Sequence, residues 1–303
     1  MYEFRSAMFI PGASEKMLAK TASLDADLIL FDLEDAVAEN QKETARKLVA
    51  EQLRKPRQEN KCFGVRVNSL SSTHTSADLE AILLAKPDLL MLPKIESGDD
   101  LIKVDAMLSA IEASNQLEFA STKLIVLSAE TPGSLFKFDS LENVSDRLVG
   151  MTWGAEDLAT ELGAVAGRNE SGHWLPPLQL AQTFCLAKAR DLGIQALDTV
   201  YADIRNIEAL KKECLAAKEM GFTGKLAIHP AQLDVINKVF SPSSDEVDYA
   251  TRLVKLFADN PDSGALQLDG KMVDVPHLRS AERLLERNKL LERNKLLERN
   301  KVL

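Results

Sequence analysis

Eight short apolar runs, each separated from the next by a stretch long enough for a helix, recur along the 303 residues and leave few folds open. They are AMFIPG (7–12), LILFDLED (28–35), CFGVRVN (62–68), LLMLPK (89–94), LIVLSAE (124–130), LVGMTWGAED (148–157), DTVYADI (198–204) and LAIHP (226–230). Rich in leucine and β-branched residues and bounded by polar ones, they read as buried strands. The intervening segments, such as QKETARKLVAEQLRK, SADLEAILLAK and IEALKKECLAAKEMGF, carry apolar stripes at helical spacing beneath charged faces. Repeated strand–helix units call for a parallel sheet, so the pattern predicts an α/β fold, a (β/α)8 TIM barrel over residues 1–240.

The polar residues follow the same order. Glu34, Asp35, Arg66, Asn68, Lys94, Glu130, Glu156, Asp157, Asp203 and His229 all come after their apolar runs and none comes before. In such a barrel the C-terminal strand ends carry the active site, because side chains there converge above a packed interior. Any one acid in this position reads equally well as a helix N-cap. Capping does not account for a lysine, an arginine, an asparagine and paired carboxylates ending successive strands together.

Chemistry at this rim starts with Glu130 and Asp157, read as ending the fifth and sixth strands and so as neighbours around the barrel. Two carboxylates with room for water and a chelating substrate suit Mg2+ or Mn2+, and plain solvated or capping roles stand beside that reading. His74, His173, His229 and His277 show no zinc-ligand spacing. Arg66, inside GVRVN, offers a fork of donors to a carboxylate or an enolate oxygen, or else a surface ion pair; Lys94 in LPKIES has the same ambiguity. Arg5 and Lys16 flank the turn FIPGASEK, where a bend leads into a helix N-terminus, and read as phosphate contacts or as solvated charges. His229 in AIHP is either a satisfied histidine or a ligand contact.

Other classes lose support. A net charge of −9 with no basic cluster lacks the electrostatic footprint for nucleic acid. Walker A, G-x-G-x-x-G, G-x-S-x-G and H-E-x-x-H patterns are missing. No run of 18 apolar residues occurs, and the opening MYEFRSAMFI lacks the regions of a signal peptide, so a cytoplasmic protein with no membrane partner is expected. Cys62, Cys185 and Cys214 are too scattered for a disulfide framework.

Beyond the barrel, residues 241–283 form an appendage with a loop, a helix and a glycine-containing turn, expected to lie on its own barrel or another subunit. Residues 284–303 hold LLERNK three times in succession. A six-residue period matches neither 3.5 nor 3.6, so a frayed or weakly helical tail is expected.

The motifs RSAMFIPG, FDLEDAV, VRVN, LPKIES, SAETP, GAEDL, GFTGKLAIHPAQ and GKMVD occur in this order from Arg5 to about Leu285. In combination they resemble the citrate lyase beta-subunit-like family of acyl-CoA carbon–carbon lyases, relatives of the HpcH/HpaI aldolases and malyl-CoA lyases. VRVNSLSS and MLPKIES are most similar to stand-alone citramalyl-CoA lyases. The resemblance implies a Mg2+-dependent lyase on a TIM barrel, trimeric in many relatives. It would cleave a 3-hydroxy-3-carboxyl acyl-CoA to acetyl-CoA and a 2-keto acid, with CoA as part of the substrate. It implies Glu130 and Asp157 as metal ligands, Arg66 as the substrate-binding arginine, and Glu34 with Asp35 around the metal's waters. Asp274 of GKMVD matches an aspartate that acts as general acid/base in a neighbouring subunit's site, while Arg5 and Lys16 match less uniform CoA contacts. Citrate lyase beta subunits tend to carry Asn where this chain has His229, which points away from a carrier-protein partner. A citryl-CoA or citryl carrier-protein lyase subunit, a malyl-CoA lyase and a CoA-independent pyruvate-type aldolase are the alternatives.

Overall fold

The structure is a computed structural model that describes residues 3–56 and 61–299, with the side chains of the last helix as far as Glu292. Strands β1 (Ser6–Pro11), β2 (Leu28–Asp32), β3 (Cys62–Arg66), β4 (Leu89–Leu92), β5 (Lys123–Ser128), β6 (Leu148–Trp153), β7 (Gln195–Asp198) and β8 (Gly224–Ala227) close into one barrel in chain order. Every pairing is parallel, and β1 meets both β2 and β8. Between and after the strands lie α1 (Glu15–Leu18), α2 (Lys42–Arg54), α3 (Thr75–Leu83), α4 (Gly98–Ser114), α5 (Ala155–Glu161), α6 (Pro176–Asp191), α7 (Ile207–Met220) and α8 (Leu233–Phe240). The predicted TIM barrel is therefore observed.

Alternate residues of the strands build the interior. Ala7, Leu28, Leu30, Leu89, Met91, Ile125, Leu127, Leu197 and Leu226 form one buried cluster, a side-chain plug that supports the rim from below. The helices take their limits from local signals. Ser97 and Asp100 make a capping box at the start of α4, and Gly221, at φ 119°, ends α7.

The seventh strand lies upstream of its expected position, as QALD (195–198) instead of DTVYADI. Asp198 closes it fully buried, where Lys225 Nζ reaches Oδ2 at 2.6 Å and Trp153 Nε1 donates to Oδ1 at 3.0 Å. A partnered buried carboxylate let the strand end on a charge, and the β-branched residues after it belong to a loop.

The chain divides into two compact units, 1–237 and 238–303. In the second, α9 (Ser244–Ala258) starts at a capping box of Ser243 and Glu246. An antiparallel hairpin follows, β9 (Ala265–Leu268) and β10 (Lys271–Asp274). Its two-residue turn, Asp269–Gly270, has φ of 50° and 79°, the pattern that an Asp-Gly hairpin turn favours. Ala250, Leu253, Phe257, Val273 and Ala281 form this unit's core. The last helix, α10 (Val275–Arg299), carries the LLERNK copies in helical form as far as Arg299, and the rest of the expected tail, 300–303, lies outside the described residues. Leu284 and Leu285 pack on that core and Leu291 is buried, while the repeat's Glu, Arg and Lys are strong helix formers. No helix among the described residues is long and apolar enough to cross a membrane.

Candidate active site

The β2–β3 register sets Asp32 directly beside Arg66. The arginine answers with both arms, Nε donating to Asp32 Oδ1 at 2.8 Å and Nη2 to Oδ2 at 2.7 Å, while the Phe9 ring lies 4.8 Å from the guanidinium carbon. Its remaining arm, Nη1, donates to Asp35 Oδ2 at 3.0 Å and stands 3.2 Å from Glu34 Oε2. Asp32 also accepts the amides of Glu34 and Ala36, so one carboxylate orders both the arginine and the turn that carries Glu34 and Asp35. Burial would raise its pKa, but the Arg66 hydrogen bonds and charge and the two amides outweigh burial and hold it below the ordinary carboxylate range. Lys42 of α2 fastens the same turn, with Nζ donating to Leu33 O at 2.9 Å, Glu34 O at 2.7 Å and Asn68 Oδ1 at 2.8 Å.

On the neighbouring strands, Glu130 sits two residues past β5 and is 1 % exposed. Its Oε2 accepts the backbone N–H of Lys94, and its Oε1 is buried with no hydrogen-bond partner. Burial, with the negative charges of Glu34 and Asp157 added, pushes Glu130 up to about 8 against the opposing Lys94 amide. Glu34 is raised too, first by burial, with Asp35 adding to it, despite Arg66 and Lys94. Lys94 Nζ lies 3.1 Å from Glu34 Oε1 and 3.9 Å from Asp35 Oδ1.

Asp32, Glu34, Asp35, Glu130 and Asp157 thus share the rim with Arg66 and Lys94 as cationic partners to their carboxylates among the described residues. An excess of carboxylate and an orphaned, buried carboxylate oxygen are what a cation site requires. Among the described residues no three His, Cys, Asp or Glu side chains form a cage. Mg2+ needs none, since it is held by one or two carboxylates and keeps the rest of its shell for water and substrate.

Gly154, which opens α5, makes room for Glu130: a Cβ there would lie 2.4 Å from Glu130 Cγ and 3.2 Å from Oε1. Gly154→Ala is therefore expected to displace the carboxylate and weaken Mn2+ binding about tenfold or more, with melting changed by only a few degrees. A calorimetric titration checks it; parent-like Mn2+ affinity would show that the glycine serves only the backbone.

The structure brings Glu34, Asp35, Arg66, Lys94, Glu130 and Asp157 together. Asp157 corrects one expectation, because it does not end a strand: β6 stops at Trp153 and Asp157 lies in the first turn of α5. Arg5 is not among them. It precedes β1, at the opposite end of the barrel from the rim, and its guanidinium forks onto Asp27, Nε to Oδ2 at 2.9 Å and Nη2 to Oδ1 at 2.7 Å. Lys16 is exposed on α1, directly after β1. His229 is exposed and caps its own turn through Nδ1, which accepts the Ala231 amide. Asp274 closes β10 in the second unit, where His277 Nδ1 is 2.5 Å from its Oδ1.

Residues 5–230 match the model of the HpcH/HpaI aldolase/citrate lyase family. The chain belongs to that family. Residues 176–291 also match a model of carbon–carbon bond lyases of the TIM-barrel fold, and the chain is a carbon–carbon lyase by this membership. The citrate lyase subunit beta of Haemophilus influenzae is 36% identical over 285 residues, 93% of this chain and 96% of that protein. A (3S)-malyl-CoA thioesterase of Cereibacter sphaeroides is 36% identical over 288 residues, 94% of this chain and 95% of that protein. Among solved structures, CitE from Mycobacterium tuberculosis in complex with magnesium, acetoacetate and coenzyme A superposes with a TM-score of 0.75 at 31% identity, covering 94% of this chain and 97% of the other.

Sequence reasoning assigned no role to Asp32, Lys42 or Gly154. A signal for Asp32 existed: it stands four residues after Leu28, as Arg66 stands four after Cys62, and those two residues are register partners. Nothing local marks Lys42 or Gly154, whose roles depend on chain segments far away in sequence.

Proposed function

We propose that the chain is a Mg2+-dependent lyase that cleaves a 3-hydroxy-3-carboxyl acyl-CoA, citramalyl-CoA before its malyl and citryl analogues, to acetyl-CoA and pyruvate. The observation that carries this reading is the orphaned Glu130 Oε1, buried among Glu34 and Asp157 beside the Arg66 fork. Relatives support it: solved structures of Mycobacterium tuberculosis CitE are complexes with magnesium and pyruvate and with magnesium, acetoacetate and coenzyme A.

Glu130 and Asp157 would hold the magnesium ion, which when bound would supply Lewis acidity to the substrate's hydroxyl and carboxylate. Glu34 and Asp35 would accept hydrogen bonds from water bound to the ion. As the carbon–carbon bond breaks, its electron pair moves to the carbon beside the thioester, and the hydroxyl proton passes to the Asp274 carboxylate as the keto group forms. Arg66 faces the negative charge that develops on the thioester oxygen, already oriented by Asp32 so that little reorganisation is needed. Asp274 returns a proton to the new carbanion from a neighbouring subunit of a cytoplasmic homotrimer. The hydrogen bond from His277 holds the Asp274 carboxyl below its usual range, so it rests as the anion that receives a proton first. Lys16 and Arg5 carry no step.

The test is a panel of citramalyl-, malyl- and citryl-CoA with Mg2+, following keto acid and free CoA separately. Pyruvate from citramalyl-CoA that vanishes with EDTA is expected. CoA release without keto acid would mean thioester hydrolysis, and turnover unaffected by EDTA would sink the metal reading. Mixed oligomers of Asp274→Ala and Glu130→Gln chains should regain activity that neither has alone. Without rescue, Asp274 acts within its own chain or not at all.

A further inference from the structure

Lys94 occupies the rim in an unusual way. It follows Pro93 after the end of β4, and its backbone takes φ 53°, the left-handed region that a lysine enters only when its surroundings impose it. Ala129, immediately before Glu130, is left-handed as well, at φ 54°. The two bends meet at one contact, the Lys94 amide donating to Glu130 Oε2. The side chain has a separate task. Its ammonium stands 3.1 Å from Glu34 Oε1 and 3.9 Å from Asp35 Oδ1, and is 35% exposed toward the mouth. Main chain and side chain of one residue therefore touch the proposed metal ligand and the acids beside it, respectively.

We propose that the Lys94 ammonium is a tethered counter-cation that stands in for part of the metal's charge and turns to the substrate's carboxylate once metal and substrate arrive. It thereby couples the binding of the two. This deepens the metal reading above and rests on it.

Electrostatics gives the expected direction. A fixed positive charge beside a divalent site repels the ion, so the parent binds metal alone weakly. An anionic ligand that draws the ammonium off Glu34 returns that carboxylate to the metal's surroundings. Metal and anion then each strengthen the other by the same factor. A residue that served only to hold Glu34 in place would behave oppositely, because losing it would weaken the metal site.

Lys94→Met separates these roles, since it keeps the backbone amide that holds Glu130 and removes only the charge. Mn2+ titrations of metal-free parent and variant, by calorimetry or by the free-ion paramagnetic resonance signal, are run with and without oxalate as the anionic probe. In the parent, oxalate should tighten Mn2+ binding strongly. Lys94→Met should bind Mn2+ alone about tenfold more tightly, as expected for deleting one charge close to a divalent ion in a partly solvated site, and oxalate should then add little. Lys94→Arg, which keeps the charge, should behave as the parent does and guards against a folding defect. Unchanged or weaker Mn2+ binding in Lys94→Met, or an undiminished oxalate effect, overturns the proposal while leaving the metal reading intact. A parent that binds no Mn2+ overturns both.

Discussion

Glu130→Gln is expected to yield a folded chain that binds no Mn2+ at millimolar concentration and turns over at least about 10³-fold more slowly, the loss that goes with several kcal/mol of Lewis-acid stabilisation. Its melting behaviour should be as informative as its rate. Burial and the carboxylates around it raise the folded pKa of Glu130 to about 8 from an ordinary 4.5. The folded chain therefore holds this proton more tightly than the unfolded chain does. For a carboxyl raised in this way the sign is opposite to that of a salt-bridged acid: the contribution of Glu130 to the stability of the metal-free protein falls as pH rises from about 4.5 to about 8 and changes no further above that. Glutamine carries no such charge, so Glu130→Gln should melt above the metal-free parent by a margin that widens from pH 5 to pH 8, and Mg2+ should close the gap by stabilising the parent alone. The same proton must leave before an ion binds, so parent Mn2+ affinity should fall about tenfold for each pH unit below about 8. Equal Mn2+ binding by parent and variant, or an affinity flat between pH 6 and 8, would remove Glu130 from the metal site.

Arg66→Lys should lower kcat by roughly 10² to 10³-fold while Mn2+ binding stays within a few-fold of the parent. The charge survives this substitution, but the geometry does not. Arg66 uses Nε and Nη2 on Asp32 and presents Nη1 at the rim beside Glu34 and Asp35, three directions that a single ammonium cannot serve together. Asp32→Asn should reproduce much of the rate loss, because the arginine would lose the acceptor that aims it. A kcat within fivefold of the parent for Arg66→Lys would show that the arginine only neutralises Glu34 and Asp35, and that some other donor meets the developing charge.

Sequence and structure divide this site unevenly. Glu34, Asp35, Arg66, Lys94 and Glu130 were legible because a parallel barrel sends whatever follows an apolar run to one end, so order along the chain already states position in space. Asp157 was legible as a rim residue but not as a helical one, since apolar MTW and polar GAED read as one strand with its tail until Gly154 is seen to begin α5. Arg5 misled for a related reason: flanking a phosphate-like turn in sequence did not put it on the side of the barrel where the turn lies. One strand length separates the two, and Asp27 claims the guanidinium at the far end.

Composition and periodicity by themselves determined that this chain is a barrel with an acidic mouth, because strand and helix periods and the polarity that follows them are local properties of the chain. Tertiary structure alone decided which acids are held as anions and which are pushed toward the protonated form. Asp32 and Glu130 are similar carboxyls in similar places after apolar runs, yet one is held below the ordinary range by two arginine arms and two amides, and the other is lifted to about 8 with an oxygen left unpaired. The difference comes from strand register and from what burial leaves within reach, and neither is written into the residues next to them.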